Sequence, residues 1–563
     1  MTRPVPTRRR GLFAAALTAV VLALAGCAGL PTAGPVNPGL PADAEAGAPD
    51  FVFKPDSPQP GATPDEIVDG FIRAGTGPGV DGRWTVAREY LAPDTPWDPW
   101  TGVTIDSPGD RVFSQPAEDE VLVTTTPVAR IDEIGSYSRA DDLSAELPFE
   151  LALQSDGEWR ITKAPDGLVL DTAQFSTVFR RASLMYFDPT WQFLVPDVRW
   201  FPAINAPTYI ADALVDGPAA PWLAASVFSS FPDSISLRPS VPVADGVAEV
   251  VLDSSAVELS ADTLSRMQAQ LAGSLRSAGV SSVEMWAGPA PLDVEAAPTR
   301  STRVSTLPLV LNDEGFGFLS GDQLEPVDGL SQAIVQVVDP LAIQVSADRD
   351  FAAVRLASGA VERVEADGDV LEFDPRAGLI DPTVDAWGYS WSVPRDSPAA
   401  LTAFAPGSEQ LPIADAWPDA TQVTAMALSR DGTRLAAVVV SGGRSAVWVS
   451  GVVRDTDGVP RALGENPLVL STLPTGAGAI AWTDDVTVAV LAGSGDQSEV
   501  VELIIGGPSA TASAPPASTQ IAGAQGAVRV KDDGGGLYSQ RGSTWPQTAS
   551  GIRVLATQQG SPR

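Results

Sequence analysis

Ala342-Ile343-Gln344-Val345-Ser346-Ala347-Asp348, followed by Phe351-Ala352-Ala353-Val354, returns 83 residues later (Ser346 to Ser429) as Ala427-Leu428-Ser429-Arg430-Asp431-Gly432 followed by Leu435-Ala436-Ala437-Val438. Each copy is an apolar run, a polar turn and a second apolar run, the pattern of two strands joined by a hairpin. Between them Val384-Asp385-Ala386-Trp387-Gly388-Tyr389-Ser390-Trp391 occupies the same phase, and Ile480-Ala481-Trp482, Val488-Ala489-Val490 and Gly536-Leu537-Tyr538 continue it. The period is about 40 to 50 residues, the size of one four-stranded propeller blade. With Gly315-Phe316-Gly317-Phe318-Leu319 as the opening blade, residues 301–563 accommodate roughly five or six blades of an all-β propeller-like domain. A pair of β-sandwiches is the alternative fold.

Helical periodicity is confined to residues before about 305. Over 171–300 the pattern predicts a β-α-β-β-α-β unit: strand 193–201, helix 208–215, strands 236–243 and 247–252 across Asp245-Gly246, helix 262–277 and strand 280–286. Ser260 reads as a helix cap, and Leu264, Met267, Leu271 and Leu275 form a stripe that should pack on the sheet. Over 51–170, Thr63-Pro64-Asp65-Glu66 reads as a capping box opening a helix with Ile67, Val68, Phe71 and Ile72 on one face. A second helix is expected around Val86, Ala87, Tyr90 and Leu91 before Pro93. Strands at 121–126, 149–154 and 158–162 follow, the last two joined by Asp156-Gly157. Two helices and a curved antiparallel sheet make an α+β cone of NTF2-like shape, a form shared by enzymes and binding modules.

A chain of 563 residues exceeds what one hydrophobic core organises, about 250 residues. Seventy acidic residues face 36 basic ones, for a net charge of -34, and loss of Arg3, Arg8, Arg9 and Arg10 with a leader would take it to -38. Such a field repels phosphate backbones, so nucleic acid is not an expected partner. Histidine is absent, which removes the usual neutral-pH base, the commonest metal ligand and every Ser-His-Asp arrangement. The single cysteine, Cys27, excludes an internal disulfide and a thiolate cluster.

Residues 1–26 have the layout of a signal peptide: four arginines, then an apolar run from Leu12 to Ala25 interrupted only by Thr18. That run is shorter than the roughly 20 residues of a spanning helix. It ends in Leu24-Ala25-Gly26-Cys27, which resembles the bacterial lipobox, whose cysteine is alkylated with diacylglycerol and becomes the acylated first residue. Two or more acyl chains hold a protein stably at a membrane. From Cys27 to Asp50 the chain is rich in Pro, Gly and Ala, with Pro31, Pro35, Pro38, Pro41 and Pro49, and reads as an extended tether.

Other motifs resolve into structure. Gly476-Ala477-Gly478-Ala479-Ile480-Ala481 precedes a strand-like run instead of opening a helix, which argues against a dinucleotide site. Asp455-Thr456-Asp457-Gly458 lacks the rest of a calcium loop and reads as a turn. Ser429-Arg430-Asp431-Gly432 is somewhat like the Asp box of sialidases but lacks its following Gly and Trp. Carboxylate pairs that would run glycoside hydrolysis cannot be picked out by spacing. Most of the fourteen tryptophans should be core or blade edges. No catalytic, cofactor-binding or metal-ligating residue is assigned, and no cofactor is expected.

The order of parts is identifiable: the lipobox, Leu30-Pro31-Thr32-Ala33-Gly34-Pro35-Val36, Pro64-Asp65-Glu66-Ile67-Val68-Asp69-Gly70-Phe71, Ala87-Arg88-Glu89-Tyr90-Leu91, Leu194-Val195-Pro196-Asp197-Val198-Arg199-Trp200-Phe201-Pro202 and Ala213-Leu214-Val215-Asp216-Gly217-Pro218. In this order they resemble the LpqB lipoproteins of Actinobacteria, and the middle section resembles the GerMN domain of spore-germination proteins. The resemblance implies a lipid-anchored protein at the outer face of the cytoplasmic membrane. It also implies association with the MtrB sensor kinase ectodomain, tuning of the MtrAB two-component system, and effects on cell-wall homeostasis and division. Only Cys27, with Leu24, Ala25 and Gly26, transfers residue by residue. A non-catalytic module binding peptidoglycan or polysaccharide is the second reading, and a carboxylate-based hydrolase the third.

Cys27→Ala is expected to block both lipid transfer and cleavage of the leader. Metabolic labelling with a fatty-acid probe and the mass of the mature amino terminus check this; a labelled, normally processed variant would refute the lipidation site.

Overall fold

Among the described residues, the thirty-nine strands and few helices follow from short apolar runs punctuated by turn residues. The computed structural model describes residues 55–79, 82–140, 143–407 and 409–562. Cys27, its preceding Leu24, Ala25 and Gly26, the leader 1–26 and the 27–50 tether lie outside them. No helix of the described residues is long and apolar enough to cross a membrane.

The first domain opens on helix Pro64–Ala74, where Thr63 N donates to Glu66 Oε2 at 2.9 Å and Ile67, Val68, Phe71 and Ile72 are buried. The second expected helix is one turn only, Thr85–Arg88. Ile161 N donates to Tyr90 O (3.0 Å) and Ala92 N to Ile161 O (2.7 Å); this sheet-like bonding, with Pro93 just beyond, draws the backbone out of helix. The expected single curved antiparallel sheet is instead two four-stranded sheets. One is a meander of Val112–Ala117, Glu120–Thr125, Ala145–Leu153 and Trp159–Lys163, the last two turning through Gly157 at φ 84°. The other orders Tyr137–Arg139, Ala129–Ile131, Val103–Asp106 and Leu168–Asp171, with the last pair parallel. Phe71, Trp97 and Phe149 interlock edge-on at their shared core, at 5.0 and 6.0 Å between ring centroids.

Helix Thr172–Val178 is capped by Asp171, and its Phe175 and Val178 belong to the first core. The chain then forms a nine-residue ribbon, Phe179–Phe187 antiparallel to Leu194–Pro202. Strand 193–201 of the sequence reading is therefore real but leaves the β-α-β-β-α-β sheet, because this preceding strand takes its hydrogen bonds. The sheet itself orders Val243–Ala244, Val247–Leu252, Ser282–Ala287 and Ala290–Leu292, its two central strands parallel across helix Ala261–Leu275. The expected strand 236–243 shrinks to Val243–Ala244 and one isolated bridge from Leu237 to Leu252. Leu264, Met267, Leu271 and Leu275 are buried in one core with Val250 and Met285, as the stripe requires.

In the third domain six antiparallel units are seen among the described residues, each of four strands except one, in which Pro460–Leu463 and Leu468–Leu473 both pair with Arg444–Arg454 to make five. Five have inner strands beginning at Pro340, Thr383, Gln422, Ala477 and Ser518. Val345 faces Ala352 and Leu428 faces Leu435 across equivalent hairpins, which is the 83-residue repeat. Gly536-Leu537-Tyr538 sits one hairpin further out than its phase suggested. Its Asp532 Oδ1 accepts from Gly536 N at 2.7 Å, the same turn chemistry as inner hairpins, while the inner hairpin of that blade is Ala524–Ala527. The sixth unit is built from both ends of the domain: Ile552–Gln558 pairs with Leu309–Asn312, followed by Gly315–Ser320 and Gln323–Pro326.

Charged side chains bind the blades to one another. Arg454 Nη2 donates to Asp385 Oδ2 at 2.7 Å, both side chains being fully buried. The same guanidinium donates to Gly458 O and Gly432 O and lies 4.1 Å from the centre of Trp387. Asp431 pairs with Arg434, which also reaches Asp485 O in the next blade at 2.6 Å, and Arg430 donates to Trp482 O and Gly523 O. Burial alone would raise the Asp431 carboxyl; the Arg434 charge and hydrogen bonds from Arg434, Thr433 and Ser429 outweigh it and hold the group below its ordinary range.

Arg454→Ala strands Asp385 without a countercharge and should cost about 3 to 5 kcal/mol of stability, whereas Arg454→Met with Asp385→Leu should recover most of it. Urea unfolding of the three proteins checks this; a single-variant cost below about 1 kcal/mol would show that the pair is not a lock.

Candidate functional site

Helix Ala206–Val215 turns Ile210, Ala211, Leu214 and Val215 into the second core, leaving Tyr209, Asp212 and, just past its end, Asp216 facing outward at spacings of three and four. Opposite stand Trp84 and Trp100 of the first domain and the turn Asp132-Glu133-Ile134-Gly135. Between these elements lies an open groove of about 460 Å³, floored by the ribbon residues Arg199 to Pro202.

The walls are aromatic. Trp84 and Trp100 meet edge-on at 5.2 Å and Trp100 meets Tyr209 at 5.1 Å, a continuous shelf. Among the described residues Trp100 is the one exposed tryptophan, at 40%, whereas Trp84, Trp97, Trp391, Trp417 and Trp482 are buried. Gly82, at φ 63°, lets the shelf close: a Cβ there would fall 2.3 Å from Tyr209 Oη. Trp200 packs between Phe175 and Tyr137 with its ring tilted to both and donates Nε1 to Gly506 O of the propeller at 2.8 Å, so one wall is fixed to the third domain. Arg139 adds a second tie, Nη1 to Ser509 Oγ at 2.6 Å.

The charges are asymmetric. Asp132 is committed to its turn, accepting from Ile134 N and Ser136 N at 3.1 and 2.8 Å. Arg199 is 2% exposed and paired with Asp197 at 2.7 Å; its Nη1 donates to Ile134 O and its Nη2 to Pro218 O, bridging the two domains. Its buried Nε makes no hydrogen bond. Asp212 and Asp216 are exposed and in no ion pair among the described residues. Partial burial, then the charge of Asp216, holds the Asp212 carboxyl above its ordinary range. The groove thus presents an apolar shelf beside unneutralised acid.

A second opening runs where the inner strands of the propeller converge, past Gln344, Asp381, Arg430 and Gln520, but it holds only about 90 Å³. Asp455 caps a hairpin turn, accepting from Asp457 N and Val459 N, and Gly476–Ala481 lies within strand Ala477–Trp482 except for Gly476, which directly precedes it. Among the described residues no group of three or more His, Cys, Asp or Glu is placed to hold a metal ion. The sequence-assigned residues Leu24, Ala25, Gly26 and Cys27 lie outside the described residues, and the groove residues, although Arg199–Pro202 and Ala213–Pro218 fall in segments that carry the family resemblance, do not read as a site in the sequence. The available signals were the Trp97-Asp98-Pro99-Trp100 stretch and two unpaired acids one turn apart on an otherwise apolar helix.

Comparison with known proteins follows the same division. A family model described as Lipoprotein LpqB, N-terminal domain, matches residues 57–176; one described as Sporulation and spore germination matches 183–293; and the Lipoprotein LpqB beta-propeller domain matches 314–554. Lipoprotein LpqB of Rhodococcus jostii is 32% identical over 249 residues, covering 42% of this chain and 39% of the relative. That of Thermobifida fusca is 32% identical over 284 residues (47% and 44%), and that of Cutibacterium acnes 30% over 305 residues (53% and 49%). The chain spans between about two fifths and a half of the length of these relatives. A solved TolB from Acinetobacter baumannii aligns with 45% of this chain and 66% of that one at 13% identity and a TM-score of 0.32, too loose to bear on function. With its three domains matched in order and relatives of one name in several actinobacteria, the chain belongs to the LpqB lipoprotein family.

Proposed function

We propose that the protein is an exported, membrane-associated docking scaffold, anchored through acylated Cys27 and held off the outer face of the cytoplasmic membrane by the 27–50 tether. Its partner in this reading is the ectodomain of the MtrB sensor kinase, through which it tunes the MtrAB two-component system and so cell-wall homeostasis and division. One observation carries the docking role: two domains sharing an open aromatic groove are tied to a propeller through Trp200 and Arg139. Such a rigid, multi-domain surface suits recognition.

The acids of the groove also suit recognition better than turnover. Asp212 and Asp216 stand on one wall, one turn apart, whereas hydrolytic carboxylates flank the bond they cleave from opposite sides. The exposed Trp100 favours a second reading, stacking of a cell-wall saccharide on the aromatic shelf without catalysis.

Photocrosslinkers distributed over the three domains of the full chain, activated in intact membranes, should capture MtrB. Capture of no kinase, with strong retention of the protein on purified peptidoglycan, would replace this reading with the saccharide one.

A further inference from the structure

The groove between the first two domains has an acidic edge in no ion pair among the described residues and an apolar shelf, and these two features specify an occupant. Trp100 and Tyr209 offer ring surface for an aliphatic or cationic side chain. Asp212 and Asp216, the latter just past the helix end, offer two carboxylates on one wall, and a four-residue helical spacing sets Cβ atoms about 6 Å apart. In an extended peptide, side chains two residues apart point the same way at roughly 6.7 Å, so alternate residues of a strand match the acid pair. A saccharide would stack on the shelf but leave the acid pair without a countercharge.

We propose that this groove binds an extended basic segment of a protein partner, with Lys or Arg residues at alternate positions facing Asp212 and Asp216 and their aliphatic stems lying along Trp100 and Tyr209. The inference deepens the docking reading above and rests on it for the identity of the partner, but the groove can be tested by itself. A cation seated there also relieves the repulsion that Asp216 imposes on the Asp212 carboxyl. The strongly acidic chain, at -34, adds long-range attraction for a basic segment that weakens with salt.

The test uses the full mature protein in nonionic detergent and a fluorescein-labelled Gly-Arg-Leu-Arg-Gly peptide, read by anisotropy. Binding should weaken about tenfold or more in the Asp212→Asn/Asp216→Asn double variant and in Trp100→Ala, and it should fall when citrulline replaces both arginines. All altered residues are exposed, so an unchanged melting temperature separates lost binding from lost folding. Equal binding of the citrulline peptide, or full binding by the double variant, would overturn the proposal. So would chitotetraose binding that needs Trp100 but not the acids, which would assign the groove to saccharide. If MtrB is captured from propeller positions while groove variants crosslink normally, the groove inference fails and docking stands. If the peptide binds as described but no kinase is captured anywhere, docking fails and the groove stands.

Discussion

The architecture depends on one pairing: Ile552–Gln558 against Leu309–Asn312. A row of blades has an open strand edge at each end, and unpaired edges invite association with other chains. Here the last strand of the domain supplies the missing member of the first blade. It also reaches its other neighbour, with Gln344 facing Thr557 and Val345 facing Gln558. The two blades thereby share one eight-stranded sheet. Because loop-closure entropy grows only slowly with length, joining residues so far apart is affordable once the strands between them are packed.

Inside the ring, charge takes over a task that apolar packing cannot perform alone. Arg430 and Arg434 satisfy backbone carbonyls across blade boundaries, Arg454 satisfies two within its own blade and crosses to Asp385, and Asp431 and Asp385 balance two of the three cations. A planar guanidinium with five donors suits this bridging better than a lysine, in keeping with a chain whose only lysines are Lys54, Lys163 and Lys531. The same economy of donors leaves a surface dominated by carboxylates, which bears directly on what the groove attracts.

Much of this fold was legible because its signals are local. The Ser429–Gly432 turn, the Asp156-Gly157 hairpin, the Thr63–Glu66 cap and the stripe from Leu264 to Leu275 each sit within one element and behave as their residue types dictate. Strand Phe179–Phe187 was missed although Ala182, Leu184 and Tyr186 alternate inward, because Arg180-Arg181 interrupts the apolar run. Val112–Ala117 was missed because almost all of it is exposed, so no burial pattern marks it. The groove was illegible for a different reason: Trp100, Glu133, Arg199 and Asp212 come from four separate segments, and only the ribbon and two sheets bring them together.

The closing strand also sets an order of events. A polypeptide delivered from its amino terminus can complete five blades before residue 558 emerges, yet Leu309–Asn312 must wait that long for its neighbour. During this interval the nascent ring is a crescent with a bare flank, vulnerable to proteases and to mispairing. Closure of the propeller therefore waits for strand Ile552–Gln558, and a stop upstream of Ile552 yields an unsealed ring instead of a merely shorter one.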